Sequence, residues 1–335
     1  MMKKRWILLV CYILVVLLPY LIVTFFVDKD GLGLEPYDEQ QENEEDIKNQ
    51  TIKLYMTESD KVIDISCFDY ICAVVSGEMQ ANYEPEALKA QAVAAFTYMV
   101  NRMNYVLDNP ESDIGHKGAY VCDDYNHCLA YLPKDEAEQR WGEAWFNKYY
   151  SNIENAVGEV LGKVITYDGQ PINAVFHSIS NGNTESAKEV WGSDIAYLQS
   201  VASEQDKSAA GYKSTVSFTH DEFKEIVEND MGITLPDDPA AWIGQPQKSS
   251  AGTVSKINIG GTEVEGTYVR KMLSLRSASF DVENNSENII FTVYGYGHDV
   301  GMSQYGANEM AKEGKNYQEI LLHYYKDTKI EDFKF

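Results

Sequence analysis

A single glutamate, Glu78, stands near the end of an otherwise uncharged stretch that runs from Tyr70 to Met79. A carboxylate among apolar side chains has to be solvated, paired or protonated. Where apolar surroundings raise its pKa, a glutamate can donate a proton near neutral pH and so act as a general acid. The alternative is a glutamate at a helix end whose carboxylate reaches water. The position alone leaves both interpretations open.

A group of polar side chains follows an expected strand that ends at His177. Ser178 and Asn181 lie in the glycine-containing turn that comes next, among further hydroxyl and amide side chains. Such side chains offer both donors and acceptors to sugar hydroxyls, so His177, Ser178 and Asn181 are candidate binding residues. The alternative is an ordinary loop whose polar side chains satisfy its own backbone.

Glycines punctuate a second turn near the C-terminus, in the stretch from Tyr294 to Gly314. Gln304 and Tyr305 open a predicted helix there, and the N–H groups at a helix start can face a polar or anionic ligand. The alternative is a glycine-rich connector before a capped helix, with His298 as a satisfied loop histidine.

Two histidines and two cysteines are concentrated in a polar insert, "HKGAYVCDDYNHC". His116, Cys122, His127 and Cys128 supply the Cys₂His₂ donor set of structural zinc sites, although the spacing is not that of a zinc finger. The alternative is a disulfide between Cys122 and Cys128, closing a short loop. Two of the six histidines stand here beside two of the five cysteines, which favours Zn²⁺. We expect this metal to be structural, because acid catalysis by Glu78 needs no cofactor.

Helices and strands must position these groups. "TIKLYMTES" and "KVIDIS" alternate as short strands do, and the apolar stretch that contains Glu78 predicts a helix that breaks at "QANYE". Pro85 suits the first turn of the next helix, in which apolar residues recur at helical spacing. Glu78 is therefore expected at the end of one helix, close to the start of another.

The remaining chain mixes both element types without regular alternation. "AEQRWGEAWFNKYYSNIENAVGEV" predicts one helix, Asp168-Gly169 the turn of a hairpin, and residues 218–280 a small inserted subdomain. Two helices are expected to close the chain, ending near Tyr325. The pattern favours an α+β fold around a cleft over a doubly wound sheet.

The N-terminus predicts a membrane anchor. Residues 6–27 form one uncharged apolar run, preceded by three basic residues within a tail of residues 1–5. By length and by the positive-inside rule, this run predicts a single span with a cytoplasmic N-terminus. The alternative, a cleaved signal peptide, lacks a small-residue cleavage pattern. Residues 28–50 then predict an acidic linker, and residues 51–335 a catalytic ectodomain outside the cytoplasm.

Composition limits the partners. Of 335 residues, 44% are hydrophobic, enough for a sizeable core, and the formal net charge is −24. A strongly anionic protein is unsuited to nucleic acid, whose binding needs a cationic surface.

Taken together, three stretches resemble the stage II sporulation protein D family. They are "SGEM…EALKAQAVAAFTY", "FHSISNGNTES…VWG…YLQSV" and "GYGHDVGMSQYGANEMAKEGKNYQEILLHYY". The resemblance implies a membrane-anchored lytic transglycosylase that cleaves peptide-stripped peptidoglycan glycan strands during engulfment in sporulation. It places Glu78 as the catalytic glutamate and matches Lys89 and Tyr305 to family positions. It also implies that the protein lies in the mother-cell membrane with its catalytic domain facing the intermembrane space. The partners that it implies are an amidase, stage II sporulation protein P, and a scaffold, protein M.

The number of carboxylates fits this reaction. Ordinary glycosidases need two, whereas a lytic transglycosylase needs one acid, which later acts as base. Glu84, Glu86 and Glu185 are candidates for a second carboxylate, although each has a solvated alternative. Lys89 and Tyr305 would stabilise charge or bind N-acetyl and lactyl groups.

One position departs from the family pattern, because Phe96 stands where an arginine is usual. This gives weight to an alternative function, a non-catalytic glycan-binding module that stimulates a cell-wall amidase.

Overall fold

The computed structural model describes residues 47–111 and 115–335. The predicted tail, membrane span and most of the acidic linker lie outside these residues. Within the described ranges, no helix has the length and apolar character needed to cross a membrane. Ile47, at the end of the predicted linker, is buried in the hydrophobic core. The folded part therefore includes the last residues of that segment.

The first sheet has three strands. β1 (Thr51–Met56) pairs antiparallel with β2 (Lys61–Ser66), as the alternating pattern predicts. β1 also pairs in parallel with β3 (Val121–Cys122), which was not predicted. This pairing attaches the insert that contains the cysteines and histidines to the core.

Two helices follow the sheet. Ser66 caps α1 (Cys67–Glu78) by accepting a hydrogen bond from the Asp69 N–H, and α1 ends at Glu78. α2 (Pro85–Asp108) begins with proline at its first turn, as predicted, because the missing N–H of proline costs nothing there. The face of α2 that carries alanines and larger apolar residues is buried, so α2 forms the centre of the main core.

The prediction of one long helix after the insert is wrong. The structure has two helices, α3 (Lys134–Trp141) and α4 (Glu143–Val160), separated at Gly142, whose φ is +79°. Glycine adopts this left-handed backbone region without the penalty of a Cβ. The break turns the chain between the two tryptophans that flank it.

The next strands form the predicted hairpin. β4 (Lys163–Tyr167) pairs with β5 (Gln170–Pro171), and Asp168 and Gly169 in the turn both have positive φ. β6 (Phe176–His177) leads to the serine- and asparagine-rich turn and to the short helix α5 (Ala187–Trp191). A 3₁₀ helix, Glu204–Ser208, follows.

A second hydrophobic cluster lies between Phe223 and Val293. Its elements are β7 (Lys213–Thr219), α6 (His220–Met231), the 3₁₀ helix Pro239–Ala241, β8 (Gln247–Lys248), β9 (Val254–Ile259), β10 (Thr262–Glu265), α7 (Gly266–Met272), β11 (Phe280–Asn284) and β12 (Asn288–Tyr294). β12 pairs with both β11 and β7, so strands on either side of the predicted insertion share one sheet. The bounds 218–280 for a subdomain stay a prediction.

The chain closes as predicted with two helices and then returns to the main core. β13 (Met302–Ser303) pairs in parallel with β6, followed by α8 (Gln304–Lys312) and α9 (Tyr317–Tyr324). β14 (Lys329–Asp332) pairs with β4. α2 packs against α1, α4, α8, α9 and β4. Helices and small, mostly antiparallel sheets make an α+β fold, as the sequence predicts.

Candidate active site

Glu78 is the last residue of α1, and its carboxyl group is partly buried. Its Oε1 accepts a hydrogen bond of 2.7 Å from the backbone N–H of Ala130. The segment of Ala130 can approach so closely because the preceding residue of α1 is Gly77. A Cβ at Gly77 would lie only 3.0 Å from the carbonyl carbon of Ala130. The glycine and the glutamate therefore act together to position the carboxyl group.

The environment of Glu78 favours its protonated form. Burial raises the pKa of Glu78, whereas the hydrogen bonds from Ala130 and Gln304 act in the opposite direction. Gln304 Nε2 lies 3.5 Å from Glu78 Oε2 and 3.4 Å from Gln91 Oε1. A carboxylic acid with a raised pKa and neutral neighbours can donate a proton near neutral pH.

Gln304 is held in place by the start of α8. Ser303 caps this helix by accepting from the Gly306 N–H, and it also pairs with His177 between β13 and β6. The backbone N–H of Tyr305 donates to the Ser178 carbonyl at 3.0 Å. The two polar turns predicted to carry the site therefore meet, and the second one reaches Glu78.

A buried aspartate that was not predicted, Asp206, joins these two turns. Its Oδ2 accepts from the N–H of Ser180 at 2.8 Å and from the Ser180 hydroxyl at 2.5 Å. Its Oδ1 accepts from the Ser303 hydroxyl at 2.9 Å. Burial raises the pKa of Asp206, and the serine hydrogen bonds lower it. Nothing in the sequence around Asp206 marks it, because the 3₁₀ helix that contains it, Glu204–Ser208, is a short polar stretch without periodicity.

Glycine is required beside Asp206. A Cβ at Gly306 would lie 2.2 Å from the Tyr324 hydroxyl and 2.4 Å from the Ser203 hydroxyl. The start of α8 is therefore packed against Asp206 and α9 with no room for a side chain.

Two tryptophans were also missed. A cavity of about 260 Å³ beside Glu78 is lined by residues 77–81 together with Trp141 and Trp145. Trp145 is 43% exposed, and the centre of its ring lies 4.4 Å from the centre of the Tyr149 ring. Exposed aromatic faces next to a polar group suit sugar rings, which have both apolar faces and hydroxyls. The sequence did contain an indication of this arrangement, because Gly142, a residue that can break a helix, lies between the two tryptophans. The prediction of one uninterrupted helix overlooked it.

Other predicted binding residues satisfy partners within the fold. His177 is buried; its Nδ1 lies 3.1 Å from the Val300 carbonyl, and burial lowers its pKa to about 3, so it is neutral. Asn181 donates to the Ser279 hydroxyl at 2.7 Å. The contact found for Ser178 is the one its carbonyl makes with Tyr305. Their roles in binding stay predictions.

Lys89 and Tyr305 lie in different surroundings. Lys89 forms ion pairs with Glu86 at 2.8 Å and with Glu159 at 2.5 Å. Among the contacts of the described residues, none joins Lys89 to Glu78. Tyr305 is partly exposed, and its hydroxyl lies 3.1 Å from that of Ser208. Of the two, Tyr305 is the residue placed beside Gln304.

Phe96, the departure from the family pattern, is a core residue. It is 1% exposed, and its ring makes edge contacts with Phe333 and Phe335. In this fold, position 96 is therefore filled by an apolar side chain that packs against residues at the C-terminus.

The predicted metal ligands come together. One donor atom from each of His116, Cys122, His127 and Cys128 lies within 4.8 Å of all the others. Cys128 Sγ lies 3.4 Å from His116 Nε2, and Cys122 Sγ 3.6 Å from His127 Nδ1. Tetrahedral zinc with bonds of about 2.0–2.3 Å places neighbouring donors about 3.3–3.8 Å apart, close to these two separations. His116 Nε2 and His127 Nδ1 lie closer than this, at 2.7 Å, and would have to move apart around a metal. The two cysteines are free thiols in the structure, and the zinc site stays a prediction.

The fold and the site define an α+β protein with one partly buried carboxylic acid beside a cavity lined by tryptophans. The family model SpoIID, Stage II sporulation protein, matches residues 55–167, which include Glu78 and the four donors. Stage II sporulation protein D of Bacillus subtilis (strain 168) is 40% identical over 285 residues, covering 84% of this chain and 79% of that protein. The protein of the same name from Bacillus amyloliquefaciens is 38% identical over 283 residues, with coverage of 84% and 79%. The chain belongs to the stage II sporulation protein D family.

A more distant relative is an amidase enhancer of Bacillus subtilis (strain 168). It is 27% identical over 314 residues, which cover 78% of this chain and 40% of that protein.

Proposed function

We propose that this chain is a peptidoglycan lytic transglycosylase in which Glu78 is the general acid and base. The observation that supports this most directly is the environment of Glu78. Its pKa is raised by burial, its Oε1 is fixed by Ala130, and it lines a cavity with Trp141 and Trp145. Glu78 is the one acidic residue among the described residues that line this cavity.

The three candidates for a second carboxylate are placed elsewhere. Glu84 is exposed, and Glu86 is bonded to Lys89 and to the Tyr317 N–H. Glu185 is buried and accepts from the Ser186 N–H and the Ser249 hydroxyl. A single acid favours internal attack by a sugar hydroxyl over a mechanism that needs a separate base.

In the proposed reaction, protonated Glu78 gives its proton to the oxygen that joins N-acetylmuramic acid to N-acetylglucosamine. The bond from C1 to that oxygen breaks, and the glutamate becomes a carboxylate. The carboxylate then takes the proton of the muramyl 6-hydroxyl as this oxygen attacks C1. Glu78 ends protonated, water is not consumed, and the product has a 1,6-anhydro ring.

The substrate of this proposal is the glycan strand of peptidoglycan, stripped of stem peptides. Trp141 and Trp145 would stack on a sugar next to the cleaved bond, and Gln304 would orient the Glu78 carboxyl group. Tyr305, at the start of α8, is placed to contact substrate near Gln304. His177, Ser178, Asn181 and Lys89 retain their predicted binding roles as proposals.

Zinc is proposed as a structural cofactor held by His116, Cys122, His127 and Cys128. Ala130, which orients Glu78, follows the donor Cys128 by two residues, and the Leu132 N–H donates to the Ala73 carbonyl of α1. A metal would therefore fix the segment that positions the acid, without taking part in proton transfer. Elemental analysis of protein purified without added zinc should find about one zinc per chain, as a four-ligand site binds. His116→Ala or Cys122→Ser should lose it, and a metal-free chain with unchanged melting temperature and activity would contradict the proposal.

We also propose the cellular setting. A single span at residues 6–27 would anchor the protein in the mother-cell membrane, with the folded part facing the intermembrane space. There it would act with the amidase, stage II sporulation protein P, and the scaffold, protein M, during engulfment.

The product decides the proposed activity. Peptide-stripped glycan incubated with the chain should yield 1,6-anhydro-muramyl ends by mass spectrometry. Glu78→Gln should reduce these ends by about 10²–10⁴-fold while strand binding remains. Reducing ends would instead indicate hydrolysis by water.

A second function, stimulation of a cell-wall amidase without glycan cleavage, is favoured by the amidase enhancer relative. It predicts that the unmodified chain binds strands, releases no ends, and raises amidase turnover.

A further inference from the structure

A second cavity, of about 460 Å³, lies away from Glu78 on the part of the chain that contains α7. Its lining includes Arg270, Lys271, Arg276 and Tyr296, with Thr267 and Ser274. We call it the arginine pocket. Three cationic side chains share it, in a chain whose formal net charge is −24. Like charges that lie close together repel, so the clustering of these three cations needs a physical reason.

The cations of the pocket are not neutralised by carboxylates of the fold. All ion pairs found among the described residues use lysines, and Lys271 is not one of them. The guanidinium of Arg276 lies 4.4 Å from the ring centre of Tyr296, and its buried Nε has no hydrogen-bond partner among the described residues. Stacking on an aromatic ring orients a guanidinium while leaving its N–H groups free for an anion.

The acidic groups near the pocket do not cancel this charge. Asp299 acts electrostatically on Arg270, but burial raises the pKa of Asp299 to about 8, so it is largely protonated near neutral pH. Glu265 accepts from the Thr267 hydroxyl at 3.3 Å, and it is the one described carboxylate bonded to a lining side chain. Arg270, Lys271 and Arg276 together outweigh it.

The pocket is connected to the acid by a short backbone path. Tyr296 exchanges two hydrogen bonds with Ile179, at 3.1 and 2.6 Å. Ile179 follows Ser178, whose carbonyl accepts from Tyr305, and Tyr305 follows Gln304, which reaches Glu78. For the proposal below, one polymeric strand has to contact the pocket with one sugar while another sugar lies at Glu78.

We propose that the arginine pocket binds the lactyl carboxylate of a muramyl residue in the substrate strand. The assignment rests on the proposed function, because it takes the substrate to be peptide-stripped glycan. Removal of a stem peptide converts the lactyl amide into a free carboxylate, and arginine pairs with carboxylates through two parallel N–H···O bonds. A strand that still bears peptides has a neutral amide at the lactyl group. The pocket therefore selects stripped strands, although the protein as a whole is anionic.

Binding can be tested with the Glu78→Gln chain, which leaves the strand uncut. Two probes of equal length separate the chemistry: peptide-stripped glycan, with lactyl carboxylates, and chitin oligomers, which are N-acetylglucosamine alone. Stripped glycan should bind about tenfold more tightly at low salt, since a charged hydrogen-bonded contact contributes about 1.4 kcal/mol or more, equal to tenfold in affinity. The difference should shrink as salt is added.

Variants locate the effect. Arg276→Gln, and separately Lys271→Gln at an exposed position, should weaken binding of stripped glycan toward the chitin value and leave chitin binding unchanged. Lys256→Gln is the matched control. Lys256 lies on β9, a strand that contributes to the same hydrophobic cluster as α7, and its ammonium group pairs with Glu263 at 2.6 Å. It should change neither affinity. Arg276→Lys should keep part of the preference if charge matters.

Two results would overturn the inference: equal affinity of the Glu78→Gln chain for both probes, or equal weakening of both probes by Arg276→Gln and Lys271→Gln. Failure of the proposed function looks different. It would appear as carboxylate-dependent binding together with no anhydro ends from the unmodified chain.

Discussion

Glu78 and Asp206 are both carboxyl groups whose pKa is raised by burial, yet they occupy two contrasting regions of the molecule. Asp206 is 0% exposed and accepts hydrogen bonds from the backbone and hydroxyl of Ser180 and from Ser303. Glu78 has one short bond, from Ala130, and a distant amide, Gln304, and it lines a cavity.

The contrast shows that a raised pKa does not by itself identify a catalytic acid. Asp206 has its acceptor capacity filled by donors of the fold, so it is a structural connection between two loops. Glu78 keeps a carboxyl oxygen available at a cavity where a substrate oxygen can lie. Access and unfilled hydrogen-bonding capacity therefore distinguish Glu78, the proposed catalytic acid, from the structural Asp206.

The largest expected effect is on turnover at Glu78. Glu78→Gln should reduce cleavage of stripped glycan by about 10²–10⁴-fold, the usual contribution of a general acid. Its melting temperature should stay the same or rise, because a partly buried ionisable group is replaced by a neutral one. The exposed Glu84→Gln is the control and should change neither quantity. A marked loss of stability in Glu78→Gln would place Glu78 with Asp206 as a structural group.

The next effect is on stability at Asp206. Asp206→Ala should lower the free energy of unfolding by about 3 kcal/mol, because it leaves buried donors of Ser180 and Ser303 without partners. Urea denaturation measures this, with the exposed Asp237→Ala as the control. An unchanged unfolding midpoint would mean that the loops are held together without Asp206, and the comparison would then fail.

A smaller effect is expected at the cavity wall. Trp145→Ala should raise KM for stripped glycan by about tenfold with little change in kcat, because its ring would stack on a sugar beside the cleaved bond without acting on the reacting atoms. Steady-state kinetics would show this. Tyr105→Ala, an exposed aromatic residue on α2 outside the cavity, should leave KM unchanged. A fall in kcat alone would place Trp145 in orientation of the acid instead.

The smallest effect concerns pH. Because Glu78 must be protonated at the first step of the proposed reaction, kcat/KM should fall as pH rises through its raised pKa. Gln304 donates to the carboxylate and so favours ionisation; Gln304→Ala should therefore raise the pKa and move the falling limb to higher pH, by less than about one unit.

Gln80→Ala is the control for the pH profile, because Gln80 lines the same cavity. Its falling limb should coincide with that of the unmodified chain. A limb that moves to lower pH in Gln304→Ala would mean that Gln304 favours the protonated acid.

The local pattern predicted much of the fold. The two N-terminal strands, the start of α2 at Pro85, the Asp168-Gly169 turn and the two final helices all follow from periodicity and turn residues, which act over a few neighbouring positions. The helix break at Gly142 was missed because the apolar spacing continues across it. β3 was missed because two residues paired in parallel with a distant strand leave no periodic trace.

The amino-acid sequence by itself determined which chemistry is available: one glutamate in an apolar frame, a Cys₂His₂ donor set, and two polar turns. Only the tertiary structure decided how these groups are used. It placed Ala130 against Glu78, joined the two turns through Asp206, and left Trp145 and the arginine pocket exposed. The physical reason is that side-chain type is local, whereas burial and hydrogen-bond partners depend on segments far apart in the chain.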